Sequence, residues 1–400
     1  MGNDIRTTST SAECDQHALD LLFLCSRTRI GAGDTARLKA LQPCDIDWAR
    51  LVQFAEIHGT RPLMYRTLST VCPDIVPAAV LQKLRDQVLE IAGRNLFFMS
   101  ELGDVVQSLE RQRIEAIPLK GPVLAVDAYG SVALREFNDL DILVRKRDTE
   151  RAAGILLASG YTEVDTSNDG DEYSRVFIRD AAIVDLHWAV AGTRFFFRHD
   201  PKALWERRVP MDLGGQRINS LSPEDTLLLL CMHGAKHCWS RLAWICDLAE
   251  LIGSRSNMDW DALVDRAAAC GAERMLYLGL NLASDFLGAQ LPLKIHARAS
   301  QPSVALLSST VRSWMMHEID GAAKPLERET FYVTMRERSS DRAKHLFAGM
   351  FRFALPTAQD RQALPLPRPL WFLHWLFRPV RLLMTYGSPT VVLRRLTGRL

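Results

Sequence analysis

One seven-residue run, Asn138-Asp139-Leu140-Asp141-Ile142-Leu143-Val144, limits the folds open to this chain more than any other segment. Acids alternate with aliphatic residues in it, the two-residue period of a strand with one polar and one buried face. On either side the period is that of helices. From Ala18 to about Leu109, ALDLLFLCSR, DWARLVQFAEIHGTRPLMYRTLS and AAVLQKLRDQVLEIAGRNLFFMSELGDVVQSLE repeat apolar residues at steps of three and four. Helices return at Ser222, where SPED offers an N-cap serine, Pro223 at the first helical position and acids in the first turn. A second helix follows from Leu242 to Leu251.

Between these helical stretches lies a short mixed segment. IEAIPLK (114–120) reads as a buried strand, GPVLAVDAYG as a helix closed by Gly130, and DLDILVR (139–145) as a second strand. DTERAAGILLASGY is an amphipathic helix ended by Gly160. EYSRVFIR and AAIVDLHWAV form two β-rich runs around Asp180, an antiparallel hairpin. The expected fold is α+β: a small mixed-sheet core embedded between helical regions, mostly α overall. The expected divisions are a disordered N-terminus (1–15), an N-terminal helical region (16–113), the α/β core (114–190), a helical domain (191–300) and a C-terminal helical region with a basic, aromatic tail (301–400). One echo spans the core: Asp47-Trp48-x-x-Leu51-Val52-x-x-Ala55-x-x-x-Gly59 recurs as Asp259-Trp260-x-x-Leu263-Val264-x-x-Ala267-x-x-x-Gly271. Two helices with one capping habit and a duplicated helical unit both explain it.

The strand period gives the acids their meaning. Asp139 and Asp141 point to one face, about 7 Å apart along the chain, while Leu140, Ile142 and Val144 face the core. Two such carboxylates repel unless a cation lies between them. Mg²⁺, a hard ion that prefers oxygen and keeps waters for substrate phosphates, suits the pair. Lys120-Gly121 leaves a strand and enters a helix, whose free N–H groups favour phosphate. Arg135 lies four residues before Asp139 and is expected to clamp a phosphate. Downstream, Val184-Asp185-Leu186-His187 alternates again, setting Asp185 and His187 on one face, with His187 expected to contact the nucleotide or its phosphates. Asp185 then supplies the third carboxylate of a two-metal site.

The run LKG…LREFNDLDILV…GY…VDLHW resembles the DNA polymerase β-type nucleotidyltransferase superfamily, and in particular its family of uncharacterised nucleotidyltransferases. The match is specific over 114–190 and weaker out to about 285. The resemblance implies that Asp139, Asp141 and Asp185 hold two Mg²⁺ ions, with Mn²⁺ as the alternative. It implies that an acceptor hydroxyl attacks the α-phosphate of an NTP, ATP in the first instance, and expels pyrophosphate. Gly121 is followed by Pro122 where the superfamily often has Gly or Ser, so Gly130-Ser131 stands as a rival phosphate contact. A non-catalytic nucleotide-binding regulator, or a phosphotransferase on the same scaffold, is the alternative function.

A second constellation, His233-Gly234-Ala235-Lys236-His237, is followed by Trp239, Arg241, Trp244 and Asp247. It lacks the Glu of HExxH, which argues against zinc. Lys236 and His237 are expected to touch nucleotide or acceptor, and Asp247 to orient a histidine or pair with Arg241.

Charge adds a boundary. With 49 basic and 47 acidic residues the net is +2, which disfavours nucleic acid as partner. The eight cysteines form no CxxC, which suits free thiols in the cytoplasm. Secretory and myristoylation signals are lacking, and no apolar run is long enough to span a membrane. The tail from Leu364 holds four prolines in LPLPRPLWFLHWLFRP, and Trp371, Phe372, Trp375 and Phe377 either pack back on the protein or touch a membrane surface or partner.

Overall fold

The computed structural model describes residues 18–41, 46–164, 173–190, 201–317, 325–354, 363–375, 377, 378 and 381. The expected disorder of 1–15 lies outside them. The chain divides into two compact units, one reaching to Ala322 and the other formed mainly by Ala323–Leu400. The architecture of the first is the α+β arrangement expected, with a five-stranded mixed sheet set among helices.

The sheet forms where the sequence period is two. Its strands are β1 (Ala116–Pro118), β2 (Leu140–Val144), β3 (Thr162–Val164), β4 (Ser174–Arg179) and β5 (Ala182–His187), in the order β1-β2-β5-β4-β3. β4 and β5 make the expected antiparallel hairpin, turning at Asp180 with φ 53°. The central pair, β2 and β5, is parallel, and its register sets Asp141 beside Asp185 and Leu143 beside His187. Short β3, with all three residues exposed, escaped the sequence reading. So did a separate hairpin of β6 (Val209–Leu213) and β7 (Gln216–Ser220), whose Gly214-Gly215 turn has both glycines at positive φ.

Each sheet face has its own cover. Leu140, Ile142, Val144, Val184 and Leu186 pack into a large cluster with Phe98, Leu102, Val106 and Leu109 of α1 (Ala78–Arg111) and Ala152 and Leu156 of α2 (Thr149–Ala158). The opposite face carries Ile117 and Leu143, which among the described residues pack in a smaller cluster that includes Trp205, Leu221 and Leu229. Apolar cover is therefore thin where Asp141, Asp185 and His187 emerge, which leaves polar chemistry its space.

Helices α3 (Pro122–Tyr129), α4 (Pro223–Lys236) and α5 (Leu242–Ser254) bring the remaining residues. Ser222 caps α4 through the backbone N–H of Asp225, as its sequence position predicts. The two echo segments share a local geometry. Asp47 and Asp259, at φ/ψ −77/90° and −80/89°, each cap a helix that Gly59 or Gly271 ends in the left-handed region, at 68/34° and 72/36°. The recurrence is one of helix, turn and helix, carried by packing residues. The six cysteines among the described residues form no disulfide, and five of them are buried. No helix among them is long and apolar enough to cross a membrane.

Candidate active site

The parallel register decides the geometry of the site. Because Asp141 and Asp185 face each other across adjacent strands, His187, two residues further along β5, falls between them. Its Nε2 lies 3.0 Å from Asp141 Oδ1 and 3.2 Å from Asp185 Oδ2. One ligand atom from each of these three residues lies within 4.8 Å of the others, the spacing of a metal site. Sequence alternation thus foretold which residues share a face, but placed His187 with the phosphates; the structure makes it a member of the carboxylate cluster.

Asp139 precedes the first residue of β2 and is exposed. It stands outside the close trio, yet within reach of its field: desolvation and then the Asp141 charge raise its carboxyl above the ordinary range, against Lys120 and Arg135. Asp141 behaves in the opposite way. Burial would raise it, but the Lys120 charge and the His187 hydrogen bond prevail and hold it well below the usual carboxylate range. Lys120 Nζ sits 3.1 Å from Asp141 Oδ2. For His187 burial works against the proton, and the hydrogen bonds of Asp141 and Asp185 outweigh it, pushing the imidazole to about 9.

The donor set fits a hard divalent ion. Asp185 Oδ1 and His187 Nδ1 are buried and have no hydrogen-bond partner among the described residues, an expensive state for polar atoms. Two carboxylates and an imidazole suit Mg²⁺ or Mn²⁺, with Mn²⁺ the more tolerant of nitrogen.

Gly121 brings the start of α3 close to the acids. Its φ/ψ of 62/−129° is open almost only to glycine, and a Cβ there would meet the carbonyl oxygen of Asp139 at 3.4 Å. The N-terminus of α3 is thereby held against the entrance of β2. Ser131, the rival contact, spends its hydroxyl on the N–H of Ala133, capping a 3₁₀ turn.

Helix α4 closes another side. His233 Nδ1 is 3.5 Å from Lys120 Nζ, and its ring packs against His237 at 4.7 Å and Trp244 at 5.3 Å. Burial and the Lys120 charge hold His233 well below its ordinary value, as a neutral imidazole. Lys236 donates to the Tyr173 hydroxyl, and the Tyr173 ring lies 5.6 Å from that of His187. Lys236 therefore borders the cluster through Tyr173, and His237 lies beside it through His233. His233, whose role the sequence left open, joins them, and so does Tyr173, which the sequence did not single out. The signal for His233 was its four-residue spacing from His237, whereas Tyr173 left none. Gly234 lacks a side chain because Trp239 fills its space: a Cβ would meet that indole at 2.3 Å. Cys238 and Trp239, both at positive φ, end α4 in a strained turn beside these rings.

Arg135 is not available to phosphate. Its Nε and Nη2 donate to Asp247 Oδ1 and Oδ2 at 2.7 and 2.9 Å, and Tyr129 donates to the same Oδ1 at 2.7 Å. Arg135 and Asp247 are 9% and 0% exposed, so the guanidinium faces no solvent. The expectation of a phosphate clamp gives way to a buried bidentate pair, and Asp247 orients neither histidine nor Arg241 in the way the sequence suggested.

A parallel-paired acidic site on a small mixed sheet is the arrangement of a nucleotidyltransferase core. Comparison with protein families matches residues 45–288, more than half the chain, to the uncharacterised nucleotidyltransferases, and the chain belongs to that family. Among solved structures, it is similar to the antibiotic-resistance factor ANT(2'')-Ia, at 12% identity and a TM-score of 0.29 over 55% of this chain and 93% of that one. It is also similar to an antigenic nucleotidyltransferase-like protein from Paracoccidioides brasiliensis, at 16% identity and a TM-score of 0.31 over 49% and 94%. No curated protein matches.

Proposed function

We propose that this protein transfers a nucleoside monophosphate, AMP in the first instance, from an NTP to a hydroxyl or phosphate oxygen of a small-molecule, peptide or protein acceptor, releasing pyrophosphate. The observation that carries this reading is the convergence of Asp141, Asp185 and His187 from two paired strands, with buried polar atoms left unpartnered. Asp141 and Asp185, joined by Asp139 at the strand entrance, would hold divalent ions, Mg²⁺ or Mn²⁺. Such ions neutralise the triphosphate and make the acceptor oxygen a better nucleophile.

The chain's own groups divide the remaining tasks. Gly121 lets the backbone at the start of α3 come close to the triphosphate, and Lys120, now held by Asp141, supplies a positive charge on the same side. Asp185 Oδ1, with no hydrogen-bond partner, is the base at hand for the acceptor proton. His233, His237 and Trp244 offer a cluster of mutually tilted rings for a nucleobase or an aromatic acceptor, and Lys236 a cation at their edge. Catalysis of this kind rests on positioning and charge neutralisation.

The test incubates the protein with Mg²⁺ and each α-labelled NTP in turn and follows pyrophosphate release and label transfer. Release that Asp141→Ala and Asp185→Ala abolish supports the reading. Transfer from γ-labelled but not α-labelled ATP would make the protein a phosphotransferase. Identical behaviour of wild type and variants with all four nucleotides would leave a nucleotide-binding regulator.

A further inference from the structure

The second compact unit carries a feature that nucleotidyl transfer does not use. From Arg361 to the C-terminus the sequence holds seven arginines and no acidic residue. The whole chain is only +2, so the residues before this tail are net −5. The net positive charge of the protein thus comes from its last 40 residues.

The same segment exposes its apolar side chains. Leu370, Trp371, Phe372 and Trp375 are 40, 41, 61 and 44% exposed. All nine tryptophans lie among the described residues, and Trp371 and Trp375 are the two classed as exposed; the other seven are buried or partly buried. The prolines at 365, 367 and 369 prevent a regular helix, and a 3₁₀ turn, Arg368–Leu373, forms instead. His374, 1% exposed, fastens that turn: its ring nitrogens lie 3.0 and 2.9 Å from the carbonyl oxygens of Trp371 and Leu364. Trp371 Nε1 donates to the Leu366 carbonyl, so the indole is held with its polar atom satisfied. The aromatic rings are presented outward by a fastened turn, when the apolar rings alone would favour burial.

We propose that this tail docks on a membrane surface containing anionic lipid. Leu370, Trp371, Phe372 and Trp375 enter the interfacial layer, and the net positive charge of the tail is drawn to the headgroups. Tryptophan favours that layer because its ring is apolar and its N–H can be satisfied there. A segment of net positive charge is drawn by the negative potential of such a surface. An apolar anchor with a cluster of cations is the two-signal combination that stable peripheral binding requires. A protein partner would need a matching acidic and apolar groove, whereas a lipid surface supplies both properties without one.

The experiment sediments the full chain with vesicles of phosphatidylcholine, with and without phosphatidylglycerol. The expected result is binding to the mixed vesicles, weakened at least about tenfold in roughly 0.5 M NaCl. Tryptophan emission should shift to the blue on binding. The triple variant Trp371→Ser/Phe372→Ser/Trp375→Ser, with an unchanged circular dichroism spectrum, should lose both signals while keeping whatever nucleotidyl transfer the wild type shows. Failure of wild type to bind the mixed vesicles, equal binding to phosphatidylcholine alone, or full binding by the variant would overturn the proposal. So would a wild-type dimer in solution that the triple variant splits, because a second copy would then be what covers the patch.

Discussion

Two charged clusters lie within a few residues of each other in the sequence, and they are built on opposite plans. The Arg135–Asp247–Tyr129 cluster is closed: both carboxylate oxygens and two guanidinium nitrogens are paired, and the phenol completes the set. The Asp141–Asp185–His187 cluster is open, with Asp185 Oδ1 and His187 Nδ1 left without partners. Both are charged, and both are largely buried. What separates them is completeness. A closed network fixes a fold, because each partner is the other's solvent. An open one retains the capacity to bind something else.

If that distinction holds, the largest effect should come from the open cluster and should fall on activity. Asp141→Asn keeps the shape of the side chain but removes the charge that Lys120 and His187 face. Transfer should drop on the order of 10³- to 10⁴-fold, while the thermal midpoint moves by no more than a few degrees. A variant that unfolds instead would show that the open cluster holds the sheet together.

The closed cluster should answer in the opposite currency. Asp247→Ala leaves Arg135 buried and unpaired, which costs about 3–5 kcal/mol. Denaturant unfolding should report that loss. If Asp247→Ala keeps its stability and loses only nucleotide affinity, Arg135 serves the phosphates after all.

Titration divides buried groups in the same manner. His58 is 0% exposed, and burial lowers its imidazole to about 4. Its folded value lies below the unfolded one, so its contribution is whole above about pH 6.5 and is lost as pH falls toward 4, on the order of 3 kcal/mol. In metal-free protein His187 is raised to about 9. Its contribution is present below about 6.5 and is lost as pH rises through 9, on a similar or smaller scale. Unfolding followed across pH should show both limbs. His58→Gln should flatten the acid limb alone, and His187→Asn the alkaline one.

Much of the open site was legible, for a plain reason. Strand alternation is local, so Asp141 and Asp185 could be assigned to faces from their immediate neighbours. The parallel register that makes His187 a bridge is a non-local fact, and no sequence period encodes it. Arg135 shows the same limit: its spacing before Asp139 suited a phosphate, but its partner comes from α5, 112 residues away. The β6–β7 hairpin was missed although MDLGGQRINS carries a Gly-Gly turn, because β6 is mostly exposed and holds a proline, and β7 is mostly polar, so neither shows a clear alternation. The tail's aromatic residues were visible in the sequence; their outward presentation depends on His374 reaching back to Leu364.

The finest test of the comparison is Tyr129→Phe, which takes one donor from the closed cluster and leaves its charges paired. Asp247 Oδ1 keeps the Arg135 Nε bond, so no buried acceptor is orphaned. Burial and the Asp247 charge raise the Tyr129 hydroxyl well above its ordinary value, so it is a neutral donor throughout the working pH range. The loss should therefore be that of a single hydrogen bond to a charged acceptor, about 1–2 kcal/mol, with kcat unchanged. A double variant with Asp247→Asn should lose less than the sum of the two single changes, since both report on one network. Should Tyr129→Phe lower kcat tenfold at unchanged stability, the closed cluster would be tuning the site through Asp139 or the start of α3, and the two clusters would be one.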